Sequence, residues 1–234
     1  MPDSFTQEVF TMPAQQQFQQ MQAGEMITTP QPPPTLILLN GFPGVGKYTT
    51  ARALKSSLTD QYPSLPTILV DNHLLLDPVA AVYPERDLAY YTFRRKYRRA
   101  EFLQLKDIDP KTILIMTTSF SHEGEYDSES FWDYVELAKA RGMEVLYVNL
   151  FCGEEENEIR MCSEERRKGR EMGVKGKLVD VGILRKLKKR YTNLNLEVMM
   201  EDERMKGLNI RCFEVDTGGL RIEEAVEIVK GFLG

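Results

Sequence analysis

The chain is poor in the residues from which metal sites and disulfide frameworks are built. Its 234 residues include three cysteines, at 152, 162 and 212, and two histidines, His73 and His122. The cysteines form no CxxC pair and the histidines lie far from them in sequence, so a zinc site is not expected. An odd and sparse cysteine count also argues against a disulfide framework. It predicts reduced thiols, as in a cytoplasmic or nuclear protein.

Signals for export and for membrane insertion are also missing. The first basic residue is Lys47, whereas a secretory signal begins with positive charge and a mitochondrial presequence is rich in arginine. No apolar run approaches the roughly 18 residues needed to span a bilayer. The formal net charge of −5 provides no basic field for nucleic acid or for an anionic membrane. We therefore expect no membrane association and no nucleic-acid partner.

What is present is the composition of a globular domain behind an atypical N-terminal segment. Hydrophobic residues make up 42% and charged residues 28% of the chain, a balance typical of folded proteins. Residues 1–34 are instead rich in Gln and Pro and cannot bury enough apolar surface to fold, so they predict a disordered tail. Two interpretations of this tail stay open, a segment without function and one that binds a protein partner or aggregates. Residues 35–234 predict the folded domain.

From Thr35 onward, short apolar runs alternate with longer stretches of helical pattern. This alternation is typical of βαβ units around a parallel sheet, and the near-continuous apolar runs predict strands covered on both faces. The predicted strands are residues 36–40, 67–71, 112–117, 144–150 and 210–215. The predicted helices are residues 47–58, 87–105, 128–141, 154–170 and 222–232.

A phosphate-binding loop follows the first predicted strand. From Gly41 to Thr49 it reads Gly-Phe-Pro-Gly-Val-Gly-Lys-Tyr-Thr, and it lies between an apolar strand and a helix, as such loops require. Glycines let the backbone N–H groups curl around phosphates, and the helix N-terminus adds partial positive charge. Lys47 would reach the β- and γ-phosphates. The candidate nucleotide-binding residues here are Gly41, Pro43, Gly44, Val45, Gly46, Lys47, Tyr48 and Thr49.

One position of the loop departs from the common pattern. A Ser or Thr usually follows the lysine and ligates Mg²⁺, whereas this chain has Tyr48 there. The loop resembles that of adenylate kinase, Gly-x-Pro-Gly-x-Gly-Lys-Gly-Thr, at Gly41, Pro43, Gly44, Gly46, Lys47 and Thr49. The resemblance implies that the threonine contacts the α-phosphate and that Mg²⁺ is held largely through water. It favours a kinase over a GTPase and leaves no protein ligand of the metal assigned.

Asp71 ends the second predicted strand. Ligands of open α/β sheets bind outside the carboxyl ends of the strands, which places Asp71 across a crevice from Lys47. A carboxylate there can accept a proton from a substrate hydroxyl or hold a water of the Mg²⁺ shell. The alternative is an aspartate that makes a turn hydrogen bond. His73, two residues further on, is interpreted as a local structural histidine.

Two later segments carry further candidates. The stretch from Glu154 to Arg170 contains Arg160, Arg166 and Arg170. In small P-loop kinases this is the place of the lid, whose arginines neutralise the transferring phosphoryl group; the alternative is a surface helix. The turn that holds Thr217 precedes the last predicted helix and resembles a loop that lines the adenine pocket, or it is a plain strand-to-helix turn.

A third segment, the helix over residues 87–105, is rich in arginine. Arg94 and Arg98 share one of its faces, as do Arg95 and Arg99. One of these pairs could face the crevice and clamp an anionic acceptor. The alternative is a solvated basic face.

Residues 35–234 resemble the adenylate-kinase-like branch of P-loop proteins, and within it the ATP-binding proteins related to chloramphenicol phosphotransferase and zeta toxin. The resemblance rests on the P-loop, the acidic end of the second strand, the arginine-rich segment and the Asp-Thr turn. It implies a three-layer α/β/α P-loop NTPase fold with a five-stranded parallel sheet in the order 2-3-1-4-5. It also implies a lid over about residues 154–178, ATP and Mg²⁺ as cofactors, and Asp71 as the catalytic base.

Three functions are compatible with this sequence. The first is a kinase that transfers the γ-phosphoryl group of ATP to a hydroxyl of a small molecule, with Lys47, Asp71, Arg166 and Arg170 as catalytic candidates. The second is an ATPase or nucleotide-dependent switch, although the third strand ends in Thr117-Thr118-Ser119 without the usual Walker B aspartate. The third is a non-catalytic nucleotide-binding scaffold. The acceptor signature Asp-Gly-Phe-Pro-Arg of adenylate kinase is absent, so adenosine monophosphate is not supported as an acceptor.

Overall fold

Parallel strands form a central sheet in the computed structural model, which describes residues 9–10, 31–124, 126–164, 166 and 178–233. The strands are β1 (Val9–Phe10), β2 (Thr35–Asn40), β3 (Thr67–Val70), β4 (Ile113–Thr117), β5 (Glu144–Phe151) and β6 (Ile210–Asp216). Their order across the sheet is β1-β6-β5-β2-β4-β3. Counted from the first predicted strand, β3-β4-β2-β5-β6 is the predicted order 2-3-1-4-5, which is confirmed.

The pairing of β1 was not anticipated from the sequence. Val9 and Phe10 pair in parallel with Cys212 and Phe213 and extend the sheet beyond β6. This dipeptide lies within the segment of residues 1–34 for which disorder is predicted. Residues 1–8 and 11–30 lie outside the described residues, so the role of the tail stays a prediction.

Helices connect the strands of the sheet. They are α1 (Lys47–Gln61), α2 (Asn72–Val82), α3 (Leu88–Lys106), α4 (Asp127–Arg141), α5 (Glu154–Met161), α6 (Val181–Arg190) and α7 (Ile222–Lys230). Helix α4 stops at Gly142, whose left-handed φ of 63° lets its N–H reach the carbonyls of Ala138 and Lys139, as is usual for a C-terminal glycine.

Three helices differ from the sequence expectation. Helix α2 occupies a stretch expected to be a loop, and α6 was not predicted. Helix α5 ends at Met161, with Cys162 as its C-cap, rather than running unbroken to Arg170. Residues 165 and 167–177 of the predicted lid lie outside the described residues.

Two apolar cores lie on opposite faces of the sheet, as a three-layer fold requires. Strand β2 supplies both of them, because successive side chains of a strand point to opposite faces. Leu36 and Leu38 join a core with residues of α3 and α4, while Ile37 and Leu39 join a core with residues of α1 and α7. Every residue of β2 is buried, which explains why its sequence is continuously apolar instead of alternating.

Buried amides hold the carboxyl ends of three neighbouring strands together. Asn40, at the end of β2, donates from Nδ2 to Asn149 Oδ1 at 2.8 Å. Its Oδ1 accepts hydrogen bonds from the Thr118 hydroxyl at 3.0 Å and from the Phe120 amide at 2.6 Å. The loops that leave β2, β4 and β5 are therefore tied to one another where an open α/β sheet binds its ligands.

Candidate active site

The loop between β2 and α1 is confined by close contacts with its surroundings. A Cβ atom at Gly41 would overlap the carbonyl oxygen of Leu150, and one at Gly44 would overlap Asn157 Nδ2 and approach Met161 Cγ. Both glycines, and Gly46 at the N-cap of α1, have positive φ. Only glycine fits these conditions without strain. Contacts with β5 and α5 therefore fix the curled conformation of the loop, and the Val45 side chain is buried beneath it.

Asn157 is a loop-supporting residue that the sequence reading missed. It is fully buried on α5 and donates from Nδ2 to the carbonyl oxygen of Pro43 at 2.9 Å. Its Oδ1 has no hydrogen-bond partner among the described residues. A buried amide facing a glycine loop has no local sequence signature, because its partner lies 114 positions away.

Lys47 folds back over its own loop. Its ammonium donates to the carbonyl oxygens of Gly41 and Phe42, at 2.5 and 2.9 Å. Removal from water, together with the positive charge of Arg166, lowers the pKa of Lys47 to about 7, although the Asp71 carboxylate opposes this shift. The surroundings of Lys47 therefore do not fully stabilise its protonated form, and bound phosphate groups would add the negative charge that does so.

Asp71 lies at the carboxyl end of β3 and is anchored to the neighbouring strand. Its Oδ1 accepts a hydrogen bond of 2.5 Å from the hydroxyl of Thr117, the last residue of β4. The same hydroxyl oxygen accepts the amide N–H of Asn72 at 2.9 Å. The other oxygen of Asp71, Oδ2, lies 3.1 Å from His73 Nδ1. The Asp71 carboxylate is largely shielded, with 15% of the side chain exposed.

Thr117 is thus the second residue that the sequence reading passed over. The register pairs Val70 with Met116, so the residues that follow them, Asp71 and Thr117, lie side by side. The proximity of Asp71 and Thr117 can be predicted once the strand order is known, because parallel strands bring their carboxyl ends to one edge of the sheet. His73, interpreted as structural, contacts the Asp71 carboxylate directly.

Arg160 and Thr217, both candidates for nucleotide binding, contact each other beside the loop. The guanidinium donates to the Thr217 hydroxyl at 3.0 Å and to the Thr217 carbonyl at 2.7 Å. The hydroxyl in turn lies 3.0 Å from the carbonyl oxygen of Val45. Glu156 accepts a further hydrogen bond from Arg160. The structure therefore links α5, the end of β6 and the P-loop through one arginine.

Of the two arginines predicted to act from the lid, Arg166 lies among the described residues and Arg170 does not. Arg166 donates from Nε to the carbonyl oxygen of Leu178 at 2.7 Å, and burial lowers its pKa. Its charge acts on Lys47, so residues from three distant segments (Lys47, Asp71 and Arg166) share one electrostatic environment. Arg170 lies outside the described residues, and its role stays a prediction.

Tyr48 and Thr49 are both exposed on the first turn of α1. The Arg52 guanidinium lies 5.9 Å from the centroid of the Tyr48 ring, and Tyr48 lines a surface groove with Lys55 and Thr59. The Tyr48 side chain therefore lies among residues along α1. What it offers a nucleotide in this position is its backbone N–H at the helix N-terminus.

Mg²⁺ was expected without an assigned protein ligand. Among the described residues, no group of three or more His, Cys, Asp or Glu side chains is arranged to hold a metal ion. The carboxylate that acts on the charge of Lys47 is that of Asp71. A single carboxylate fits Mg²⁺, which binds through one or two carboxylates, nucleotide phosphates and several waters.

Comparison with known proteins places the fold. No protein-family model matches the chain, and no curated protein is significantly similar to it. Among solved structures, a protein of Chloroflexus aurantiacus j-10-fl, provisionally identified as a kinase, is 17% identical with a TM-score of 0.55, over 86% of this chain and 99% of that one.

Two other solved structures are more distant. A gluconokinase from Sinorhizobium meliloti 1021 is 13% identical with a TM-score of 0.48, over 88% of this chain and 95% of that one. The APS kinase of Mycobacterium tuberculosis, solved with AMPPNP and APS, is 13% identical with a TM-score of 0.47, over 86% and 98%. At such identities the similarity concerns the fold alone. The chain has the three-layer fold of P-loop NTPases, as predicted.

No helix in the described part of the chain is both long and apolar enough to cross a membrane.

Proposed function

We propose that this protein is a kinase that transfers the γ-phosphoryl group of ATP to a hydroxyl of a small molecule. The observation that carries the proposal is the position of Asp71. Its carboxylate is anchored by Thr117 at the carboxyl edge of the sheet and lies close enough to act on the charge of Lys47. An anchored carboxylate beside the phosphate-binding lysine is suited to accept a proton from an acceptor hydroxyl.

The proposed reaction assigns one role to each group. Asp71 accepts the hydroxyl proton of the acceptor, whose oxygen forms the new bond to the γ-phosphorus. The bond from that phosphorus to the bridging oxygen breaks, and ADP leaves with the electron pair. Lys47 and the loop N–H groups hold the β- and γ-phosphates, and Arg166 adds positive charge. Bound Mg²⁺ would neutralise phosphate charge and would be held largely through the phosphates and water.

Nucleotide selection is proposed to lie with Arg160 and Thr217. Arg160 braces Thr217 against the loop, and Gly218, which follows, donates its N–H to the Asp216 side chain. This arrangement keeps the backbone after β6 beside the P-loop, where a base could pack. Burial of the Thr217 side chain supports a positioning role.

A second candidate is supported by Tyr48. A side chain that cannot ligate Mg²⁺ at the usual position would suit a nucleotide-dependent ATPase or switch, or a scaffold that binds nucleotide without turnover. An ATPase would release ADP without an acceptor. A scaffold would bind ATP and release none.

The test is ADP release by the purified protein with Mg²⁺–ATP, with and without pooled hydroxyl-bearing metabolites and nucleosides. A kinase requires acceptor-dependent release. Asp71→Asn should retain ATP binding and reduce turnover by about two orders of magnitude or more. Lys47→Ala should abolish tight ATP binding. Asp107→Asn is the matched control, because Asp107 is exposed at the end of α3, where the chain leads back to the start of β4.

Unchanged ATP affinity in Lys47→Ala would refute the P-loop assignment. Undiminished turnover in Asp71→Asn would show that Asp71 is not the base. ADP release that ignores every acceptor would favour the ATPase, and ATP binding without any release would favour the scaffold.

A further inference from the structure

Three of the four arginines at positions 94, 95, 98 and 99 of α3 are paired with carboxylates of α4. Arg98 donates to Asp133 Oδ2 from Nε at 3.0 Å and from Nη2 at 2.5 Å, and both side chains are buried. Arg99 donates to the other oxygen of Asp133 at 2.8 Å. Arg95 donates to Glu129 at 2.6 Å. The sequence allowed these arginines to form a solvated basic face. In the structure they instead join α3 to α4 through ion pairs.

Arg94 is the exception among the four. It is partly buried, and within the described part of the chain it makes neither a hydrogen bond nor an ion pair. Its surroundings are Arg98, Tyr90, Tyr134 and Asp127. Burial, followed by the charge of Arg98, lowers its pKa, and the tyrosines and Asp127 only partly oppose this.

Asp127 does not neutralise Arg94. Its Oδ2 accepts hydrogen bonds from the amide and the hydroxyl of Ser121, at 3.0 and 2.9 Å, and so ties the start of α4 to the loop after β4. A guanidinium that is partly removed from water and left without a partner is costly. The three neighbouring arginines are paired with carboxylates of α4, whereas no carboxylate among the described residues forms an ion pair with Arg94, which leaves its charge available to an external anion.

The position of Arg94 in the fold agrees with a site for the acceptor. Helix α3 leads back to the start of β4, so its last turn lies at the amino end of the strands. Arg94 lies twelve residues before Lys106, or about 18 Å up the helix axis, and a five-residue strand such as β4 spans about 17 Å. Arg94 is therefore level with the carboxyl end of β4, where Thr117 anchors Asp71. Asp127, which follows β4, acts on the charge of Arg94, and Ser121 is hydrogen-bonded to Asp127.

We propose that Arg94 binds an oxyanion of the phosphoryl acceptor, so that the acceptor is a small hydroxyl compound carrying a carboxylate or a phosphate group. The inference rests on the proposed kinase function and narrows its substrate class. The planar guanidinium suits bidentate binding of either group. Binding the anion there would leave the acceptor hydroxyl free to approach Asp71.

Direct binding tests the anion site without relying on turnover. The protein is saturated with Mg²⁺–AMPPNP to fill the P-loop, and inorganic sulfate is titrated while the midpoint of thermal unfolding is recorded. We compare the unchanged protein with Arg94→Gln and with Lys96→Gln, an exposed lysine on the same helix. Sulfate should raise the midpoint of the unchanged protein and of Lys96→Gln by more than that of Arg94→Gln. An equal rise in all three would overturn the proposal.

Turnover tests the substrate class. The panel holds matched sets of a neutral polyol, its carboxylate and its phosphate ester, such as glycerol, glycerate and glycerol phosphate. Turnover should be confined to anionic members, and which anion is used separates the two sources of charge. Arg94→Gln should raise the acceptor KM about tenfold or more, the effect of losing a charge-assisted hydrogen bond, with the KM for ATP unchanged.

The remaining outcomes are distinguishable. Turnover of neutral polyols alone, or an Arg94→Gln variant with an unaltered acceptor KM, would overturn the anionic acceptor and leave the kinase standing. Sulfate binding that depends on Arg94, without turnover of any panel member, would refute the kinase and with it the role of Arg94 towards an acceptor.

Discussion

Thr117 donates its hydroxyl proton to Asp71 Oδ1 over 2.5 Å, across the junction between β4 and β3. The two residues are 46 positions apart in the chain and adjacent in the sheet. The bond leaves Asp71 one strongly constrained oxygen and one oxygen shared with His73. The orientation of the proposed base is therefore decided by a residue of the neighbouring strand.

Replacing that hydroxyl should impair catalysis more than binding. In Thr117→Val the carboxylate loses its anchor while the shape of the side chain is nearly kept. We expect kcat to fall by about one order of magnitude or more, since loss of orientation at a base is expensive, with the KM for ATP unchanged. Steady-state kinetics at saturating acceptor measure this.

Thr118→Val is the control for that change. Thr118 directly follows Thr117 at the end of β4, but its hydroxyl donates to Asn40 and not to Asp71. It should lower the free energy of unfolding by about 1 kcal/mol and leave kcat close to its original value. Equal losses of kcat in both variants would mean that Thr117 acts only through the stability of the sheet.

ATP binding should take up a proton near pH 8. The pKa of Lys47 is lowered to about 7 in the nucleotide-free protein, so at pH 8 the amine is mostly neutral, and negative phosphates raise its pKa again. Affinity should therefore be greatest below pH 7 and weaken as pH rises above it. Calorimetric titration in buffers of different ionisation enthalpy measures the uptake, which should be larger at pH 8 than at pH 6.

Lys47→Arg is the matched variant for this linkage. An arginine stays protonated at all accessible pH values, so whatever binding remains should take up no proton from this position. An uptake that persists in Lys47→Arg would assign the proton to another group.

Gly44 should tolerate no side chain. Gly44→Ala places a methyl group against Asn157 and Met161 and forces a residue with a Cβ to adopt a φ of 90°. We expect the free energy of unfolding to fall by more than about 1 kcal/mol and ATP affinity to fall with it. Denaturant unfolding and nucleotide titration measure the two effects.

Gly207→Ala separates the two causes. Gly207 also has a positive φ, of 74°, but a Cβ there meets nothing within 4 Å. Gly207→Ala therefore measures the cost of conformational strain alone. The difference in unfolding free energy between the two variants is then the cost of the contact with α5. If Gly207→Ala is as destabilising as Gly44→Ala, the contact between a Cβ at position 44 and α5 adds no measurable cost.

Arg98 and Arg94 should respond oppositely to removal of charge. Arg98→Met leaves Asp133, which is 2% exposed, with fewer partners, so we expect a loss of about 3 kcal/mol of unfolding free energy. Arg94→Met breaks no hydrogen bond to any residue that the structure describes and removes a partly buried charge, so the free energy of unfolding should be unchanged or increased. Urea unfolding of both variants measures this. A marked loss in Arg94→Met would mean that its charge already has a partner within the protein.

Local sequence patterns were sufficient for the strands β2 to β6 and for the phosphate loop. Strand β2 is apolar throughout because it supplies two cores, and a run of that kind followed by glycines, lysine and a helix has few other solutions. Helix α2 forms in a stretch expected to be a loop although Pro78 lies inside it, and an internal proline disfavours a helix by propensity alone. Packing of Leu75 and Val79 into the interior overrides that preference.

The resemblance to adenylate-kinase-like proteins supplied the strand order, and the sequence by itself determined the place of the P-loop and the position of Asp71 at a strand end. These two positions follow from residue type and short-range spacing, since glycine conformation and strand termination are local properties of the backbone. Only the tertiary structure decided which residues support the site. Asn157 beneath Pro43, Thr117 beside Asp71 and the distinction between Arg98 and Arg94 all depend on partners far along the chain. Hydrogen bonding and charge pairing act across space, and the folded arrangement of the helices determines which arginines are paired with carboxylates.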